Sequence, residues 1–277
     1  MKKKRLYIII CIMLIFIFIL SFSSAVFELK TVVVHFYSLE NEEINITNNS
    51  VFNTDESVKN IISSGGFEYG KLMFLQQKDK YIINLERNNP YLETLDLEAV
   101  FPDTFVINAR ERVAVYYIIY EEKTFLLDKD YKILEIANNL SVSDLIPITF
   151  EENGSEKTFF SFFSLSPLAF SQCQFLSENN LVFSSLNLWQ FLNEFNLNSE
   201  VTKICVNKEN GTVFLEVSTK SSSYGVKLVV ENVLNDFEKK INKLLNAFLT
   251  LVEFERIKTT YGELLIDDFC NCFWNNL

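Results

Sequence analysis

Twenty consecutive residues without a charge or a proline, Leu6–Ala25 (LYIIICIMLIFIFILSFSSA), constrain this chain more than any other feature. A helix of ~20 such residues rises ~30 Å, the thickness of a bilayer's hydrocarbon core. Lys2, Lys3, Lys4 and Arg5 precede the run, and the first acidic residue, Glu28, follows it. Short basic flanks resist translocation, so the basic tail is expected in the cytoplasm and the bulk of the chain outside. The competing reading is a cleaved signal peptide, with Lys2–Arg5 as its basic region and Ser23-Ser24-Ala25 as its small-residue cleavage site. The run is longer than the usual ~7–15-residue signal core, which favours a retained anchor. In either case the remainder is exported.

Composition removes several function classes. The chain has 277 residues, 48% of them hydrophobic, and a net charge of −11. That charge argues against a nucleic-acid partner. His35 is the one histidine, so neither a His-ligated metal site nor ordinary histidine acid–base chemistry is expected. The seven glycines do not cluster into a phosphate loop. No metal, cofactor or small-molecule ligand is therefore expected. Beyond Cys11, the cysteines Cys173, Cys205, Cys270 and Cys272 permit disulfides without requiring them.

The exported part opens with a β-branched segment, Thr31–Phe36, which reads as a juxtamembrane strand or a stiff spacer. Ile44–Thr47 is short and alternating. Asn53 and Glu56 form a capping pattern ahead of a helix with Val58, Ile61 and Ile62 on one face, stopped by Gly65-Gly66. A second helix is expected over about 78–87, with Tyr81, Ile82 and Leu85 spaced for burial and Asn88-Asn89-Pro90 ending it. Leu95, Leu97 and Ala99 alternate with acids. A turn at Phe101-Pro102-Asp103-Thr104 follows, then Phe105, Ile107 and Ala109 alternate, and Val113–Tyr120 continues extended. This order predicts two helices on a three-stranded sheet, a small α+β unit.

These residues resemble the FtsQ/DivIB cell-division family. The resemblance rests on NPYLETLDLEAVFPDTFVINARERVAVYYI (residues 89–118), with the family's NPY element, FP-x-T turn and ER-x-x-VA-like close. INITNNSVFNTDESVKNII (44–62) resembles the family's first strand and helix, GKLMF (70–74) its loop before the second helix, and FLLDKDYKIL (125–134) the hairpin opening its β domain. Tyr131 stands where the family has a hairpin glycine, and Phe150–Glu200 carries no part of the resemblance. The resemblance implies an α+β protein in four parts: a cytoplasmic tail (1–5), one transmembrane helix (6–26), a POTRA-like domain with its juxtamembrane segment (27–119), and a mixed β domain with a crossing helix (120–277). It implies a single-pass type II membrane protein at the division septum.

The second half is readable on its own terms. Leu186–Phe195 is a short amphipathic helix. Val201–Thr219 is a hairpin about Asn210-Gly211, and Tyr224–Val229 adds a strand. Val230, Val233, Leu234, Phe237, Ile241, Leu244, Leu245 and Phe248 fall at helical spacing, which leaves Lys239, Lys240 and Lys243 facing water. Phe254–Ile257 and Glu263–Phe269 would close the sheet and offer an edge. In the resembled family that part of the β domain captures the FtsB/DivIC-type partner, which pairs with an FtsL-type protein. Carried over by position, the contact falls on Ile266, Asp267, Phe269, Cys270, Phe273 and Trp274.

No catalytic site is legible. Serine and cysteine nucleophiles lack a histidine partner unless His35 serves. The adjacent acid pairs, such as Asp267/Asp268, point to opposite faces of a strand and make no dyad by themselves. Arg110 and Arg112, alternating with Glu111 on a strand, are expected in cross-strand ion pairs. The expected function is a non-catalytic membrane scaffold that binds other division-protein ectodomains by strand addition. The alternatives are an exported carboxylate-using hydrolase and a POTRA-bearing transport or adhesion module.

Overall fold

The computed structural model describes residues 12–15, 26–38, 43–44, 51–52, 54–120, 122–138, 142–152, 155–157, 174, 176, 183, 186–207, 211–218, 225–253 and 262–276. Of the apolar run, only 12–15 are among them, and they are helical. Among the described residues no helix is long and apolar enough to cross a membrane. The spanning helix expected over 6–26 otherwise lies outside them, as do Asn53, Cys11, Cys173 and the segment 254–257. The chain divides into two compact units, Met1–Arg112 and Val113–Leu277.

Past residue 26, the described residues of the first unit form a four-stranded sheet with two α-helices. Its strands are β1 (Thr31–Tyr37), β2 (Glu43–Ile44), β3 (Leu92–Val100) and β4 (Thr104–Glu111), in the order β2-β1-β4-β3. β1 runs parallel to β4, Thr31 opposite Thr104, whereas β3 and β4 form an antiparallel hairpin. The strand that joins the sheet's interior is thus Thr31–Tyr37, not Ile44–Thr47, of which only Ile44 lies in a described strand, the short β2 at the sheet's edge. Four consecutive β-branched or aromatic residues outcompete a short polar-flanked stretch for that position.

Helix α1 (Asp55–Gly65) starts at Thr54, not Asn53. The Thr54 hydroxyl accepts from the Ser57 N–H at 3.1 Å, and Ser57 Oγ accepts from the Thr54 N–H at 3.2 Å, so Ser57 fills the role expected of Glu56. Gly66 ends the helix in the left-handed region at φ 71°. Helix α2 (Lys78–Asn88) buries Tyr81 and Leu85, one turn apart. Its asparagines hold the end of α1: Asn84 donates to the Gly65 carbonyl at 3.1 Å and Asn88 to the Ser64 carbonyl at 3.2 Å. On β4, Phe105, Ile107 and Ala109 are fully buried as their alternation predicts. Leu95 departs from its expected inward place because β3 slips register between Thr94 and Asp96, which turns Leu95 outward. Arg110 grips Glu93 across the hairpin with two short hydrogen bonds, 2.6 and 2.8 Å, as the cross-strand pairing predicts, whereas Arg112 is buried, donates to the Leu92 carbonyl at 3.2 Å and has its ion pair at 3.9 Å with Glu86 of α2.

The second unit is a ten-stranded mixed sheet. Its strands are β5 (Tyr116–Tyr120), β6 (Lys123–Leu127), β7 (Ile133–Asn138), β8 (Ile146–Glu152), β9 (Ser155–Lys157), β10 (Val201–Asn207), β11 (Thr212–Ser218), β12 (Gly225–Val230), β13 (Gly262–Ile266) and β14 (Cys272–Asn276). They lie in the order β14-β13-β12-β11-β10-β8-β5-β6-β7, with β9 on β8. β5 is the run that the sequence places with the first unit; it pairs instead with β6 and, in parallel, with β8. Three parallel joins, β5 with β8, β8 with β10 and β12 with β13, link groups of antiparallel strands. Helices α3 (Leu188–Glu194) and α4 (Phe237–Glu253) contribute apolar side chains to the core, among them Leu192, Ile241, Leu244, Leu245 and Phe248. α4 begins at Phe237, later than its apolar spacing suggests: Val230 belongs to β12, and Leu234 is exposed in the turn between them.

Candidate partner-binding edge

The hairpin of β13 and β14 ends the sheet. β14 lies antiparallel to β13, with Leu264 opposite Trp274 and Ile266 opposite Cys272. The closing strand expected over 263–269 ends earlier, at Ile266, and a further strand not expected from the sequence follows it. The strand is present because Cys272, Phe273 and Trp274 continue the in–out alternation after a tight turn. β13 is consequently paired on both sides, and the sheet's margin is β14. Among the described residues no strand pairs with its outer side.

Asp267 builds the turn. Its Oδ1 accepts from the Phe269 N–H at 2.9 Å and the Asn271 N–H at 2.7 Å, and its own N–H donates to the Asn271 carbonyl at 3.1 Å. Cys270 takes the left-handed conformation at φ 60° and donates its N–H to the Asp267 carbonyl. The turn between β6 and β7 has the same build. There Asp128 accepts from the N–H groups of Asp130 and Lys132, and Tyr131, at φ 61°, donates to the Asp128 carbonyl. That is how Tyr131 stands in for a glycine: the aspartate fixes the loop, and ring stacking on Tyr116 with centroids 5.2 Å apart holds the residue in place.

Two lysines of α4 tie the turn to the rest of the unit. Lys240 is fully buried, not solvent-facing; its Nζ donates to Asp268 Oδ1 at 2.8 Å and to the carbonyls of Glu231 at 2.8 Å and Asn232 at 3.1 Å. Lys243 Nζ donates to the Cys270 carbonyl at 2.6 Å. The two acids of the Asp267/Asp268 pair are both held below the usual carboxylate range. Asp267 is lowered chiefly by the Asn271 N–H, and Asp268 by the Lys240 ammonium. Both are ionised at neutral pH and occupied by structural bonds, so neither is poised as a general acid. The Cys205 thiol is pushed up to about 11 by burial, which keeps it protonated and unreactive at neutral pH. Cys205, Cys270 and Cys272 are free thiols.

The six residues expected to bind a partner are brought into one hairpin but not onto one surface. Ile266 is fully buried on the inner strand and Cys270 is buried in the turn. Asp267 is spent on the turn itself. Trp274 packs against the core, its ring over Gly262. Phe269 at the tip and Phe273 on the strand are the exposed members, at 87% and 48% exposure. The Asp267–Asn271 pair closes the ladder, and antiparallel pairs alternate, so the N–H and C=O groups of Cys272 and Trp274 point away from β13. A Cβ on Gly262 would lie 2.2 Å from the Trp274 ring. Gly262→Ala is therefore expected to expel that ring and lower stability by about 1–3 kcal/mol, with a rise in Trp274 exposure read by fluorescence quenching against a Trp189→Phe background.

The fold and its margin define the class: a two-unit α+β protein whose second unit ends in an open-edged mixed sheet. Among curated proteins the chain is similar to the Cell division protein DivIB of Clostridium acetobutylicum, 32% identical over 105 residues, or 38% of this chain and 40% of that protein. It is also similar to the Cell division protein DivIB of Clostridium tetani, 31% identical over 61 residues, or 22% of this chain and 23% of that protein. No family model matches. The matched stretches span two fifths or less of either relative's length. The resemblance drawn from the sequence is found in these comparisons, and they support a cell-division protein of the DivIB/FtsQ type.

Proposed function

We propose that this protein is a non-catalytic, membrane-anchored scaffold of the division complex. The first unit serves as a POTRA-like domain, consistent with its order of strand, two helices and strand hairpin. The second serves as the β domain that captures a division-protein ectodomain of the FtsB/DivIC type, itself paired with an FtsL-type protein. The basic tail lies in the cytoplasm, residues 6–26 cross the membrane, and the two units act at the septum. The observation that carries this reading is the margin of β14, which no described strand pairs on its outer side and which presents the exposed Phe269 and Phe273. Such a margin accepts a partner strand through main-chain hydrogen bonds.

Cys272→Pro tests the mechanism directly. Proline on an edge strand, with its missing N–H on the open side, leaves the β13 ladder intact. Co-purification of the full chain from membranes is expected to recover the partner pair with the parent protein and to lose it with this variant, while the melting temperature is retained. Recovery of the partners with Cys272→Pro would refute strand addition. Uniform envelope staining and normal division on depletion would refute the division role itself.

A further inference from the structure

The residues that leave the apolar run are stitched directly into one end of the first unit. The Met73 N–H donates to the Phe27 carbonyl at 3.0 Å, the Leu29 N–H to the Lys71 carbonyl at 2.9 Å, and the Gly70 N–H to the Leu29 carbonyl at 3.0 Å. On the other side, the Lys30 N–H donates to the Asp103 carbonyl at 2.9 Å, and the Phe27 ring meets Phe101 edge-on at 5.8 Å. The loop 69–75 and the β3–β4 turn therefore flank the point of entry. Phe27 is two residues past Ala25, at most ~7 Å of extended chain. The headgroup zone of one leaflet is itself ~5–8 Å deep.

That same end carries large apolar side chains in the open. Phe74 is 62% exposed, Leu75 71% and Phe101 58%, with Tyr69 and Val100 exposed nearby. Two ion pairs lie beside them, Lys71 with Glu68 at 2.7 Å and Lys30 with Asp103 at 3.5 Å, and Glu28 adds an acid opposite Leu72. An apolar rim with its lysines ion-paired and an aromatic component suits a lipid interface better than water.

We infer that this end of the first unit rests in the membrane surface, with Phe74, Leu75 and Phe101 seated among the lipid headgroups beside the anchor. The inference rests on the anchor reading above. Because both lysines at this end are ion-paired and Glu28 adds only negative charge, the contact is apolar and does not call for anionic lipid. It gives the first unit a fixed orientation to the bilayer instead of leaving it on a swivel.

The test uses the full chain in phosphatidylcholine nanodiscs, with a photoreactive benzophenone amino acid placed singly at positions 15, 75, 101 and 95. Leu95 is an exposed control on β3, five residues and ~16 Å along the strand from Val100. Mass spectrometry is expected to find lipid adducts at 15, 75 and 101, with a yield at 95 lower by ~10-fold or more, as a depth-limited contact requires. Adducts at 15 without adducts at 75 and 101 would overturn this inference and leave the anchor standing. Absence of adducts at 15 would overturn the anchor, and this inference with it. Equal yields at 75, 101 and 95 would show an unoriented unit and refute the seating.

Discussion

Phe269→Asp combined with Phe273→Asp is expected to weaken capture of an FtsB/DivIC-type ectodomain by at least ~100-fold. Exposed aromatics at the centre of an interface commonly contribute 2 kcal/mol or more each, and about 3 kcal/mol is a ~100-fold change in Kd. The same double variant is expected to melt within ~2 °C of the parent protein, because both side chains lie outside the core and surface exchanges of this kind stay within about 0.5 kcal/mol. Trp274→Asp supplies the contrast. Its ring packs against the core over Gly262, so that variant loses the hairpin and binding together. Titration calorimetry beside a thermal melt separates the two cases. Unchanged affinity in the double variant would remove Phe269 and Phe273 from the interface.

Lys240→Met should be the most damaging single exchange away from the margin. Methionine fills similar volume but leaves the carbonyls of Glu231 and Asn232 without their ammonium donor and frees Asp268 from α4. Each buried acceptor left unsatisfied costs ~1–3 kcal/mol, so a total loss of about 3 kcal/mol is expected. For a unit of this size that lowers Tm by roughly 6–12 °C. Lys240→Arg keeps the charge but not the compact three-way donation, and is expected to recover only part of the loss. A melting temperature unchanged in Lys240→Met would show that Asp267 and Lys243 hold the turn without Lys240.

The parts of this fold that were legible are those whose signals are local. Helix α2 was readable from Tyr81 and Leu85, the end of α1 from Gly65-Gly66, and β4 from Phe105, Ile107 and Ala109, because each signal sits within one element. What escaped was decided by pairing across distance. Val113–Tyr120 is strand-like in either unit, and only its partners, β6 in antiparallel and β8 in parallel, assign it to the second. Thr31–Tyr37 reads equally well as a spacer until β4 accepts it. Lys240 sits on the helix face its neighbours would make solvent-exposed, and its burial depends on carbonyls from the β12–α4 connection and a carboxylate 28 residues onward. At the margin, the sequence marked 263–269 as a closing strand but gave no second strand over 272–276, and could not separate exposed Phe269 from inward Trp274. No glycine or proline announces the turn between them; an aspartate side chain makes it.

The β13–β14 hairpin is attached to the remaining sheet by a single parallel join to β12. Were it to detach, the strand left bare would be Gly225–Val230, whose Val226, Leu228, Val229 and Val230 are buried. Such an apolar, β-branched row with unmet backbone bonds is the template on which like chains stack into aggregates. β14 replaces it with five residues, two of them asparagine, a far poorer template for self-stacking. The hairpin therefore doubles as a guard strand, and lesions that loosen it, at Gly262 or Lys240, should show first as insolubility of the protein in the cell.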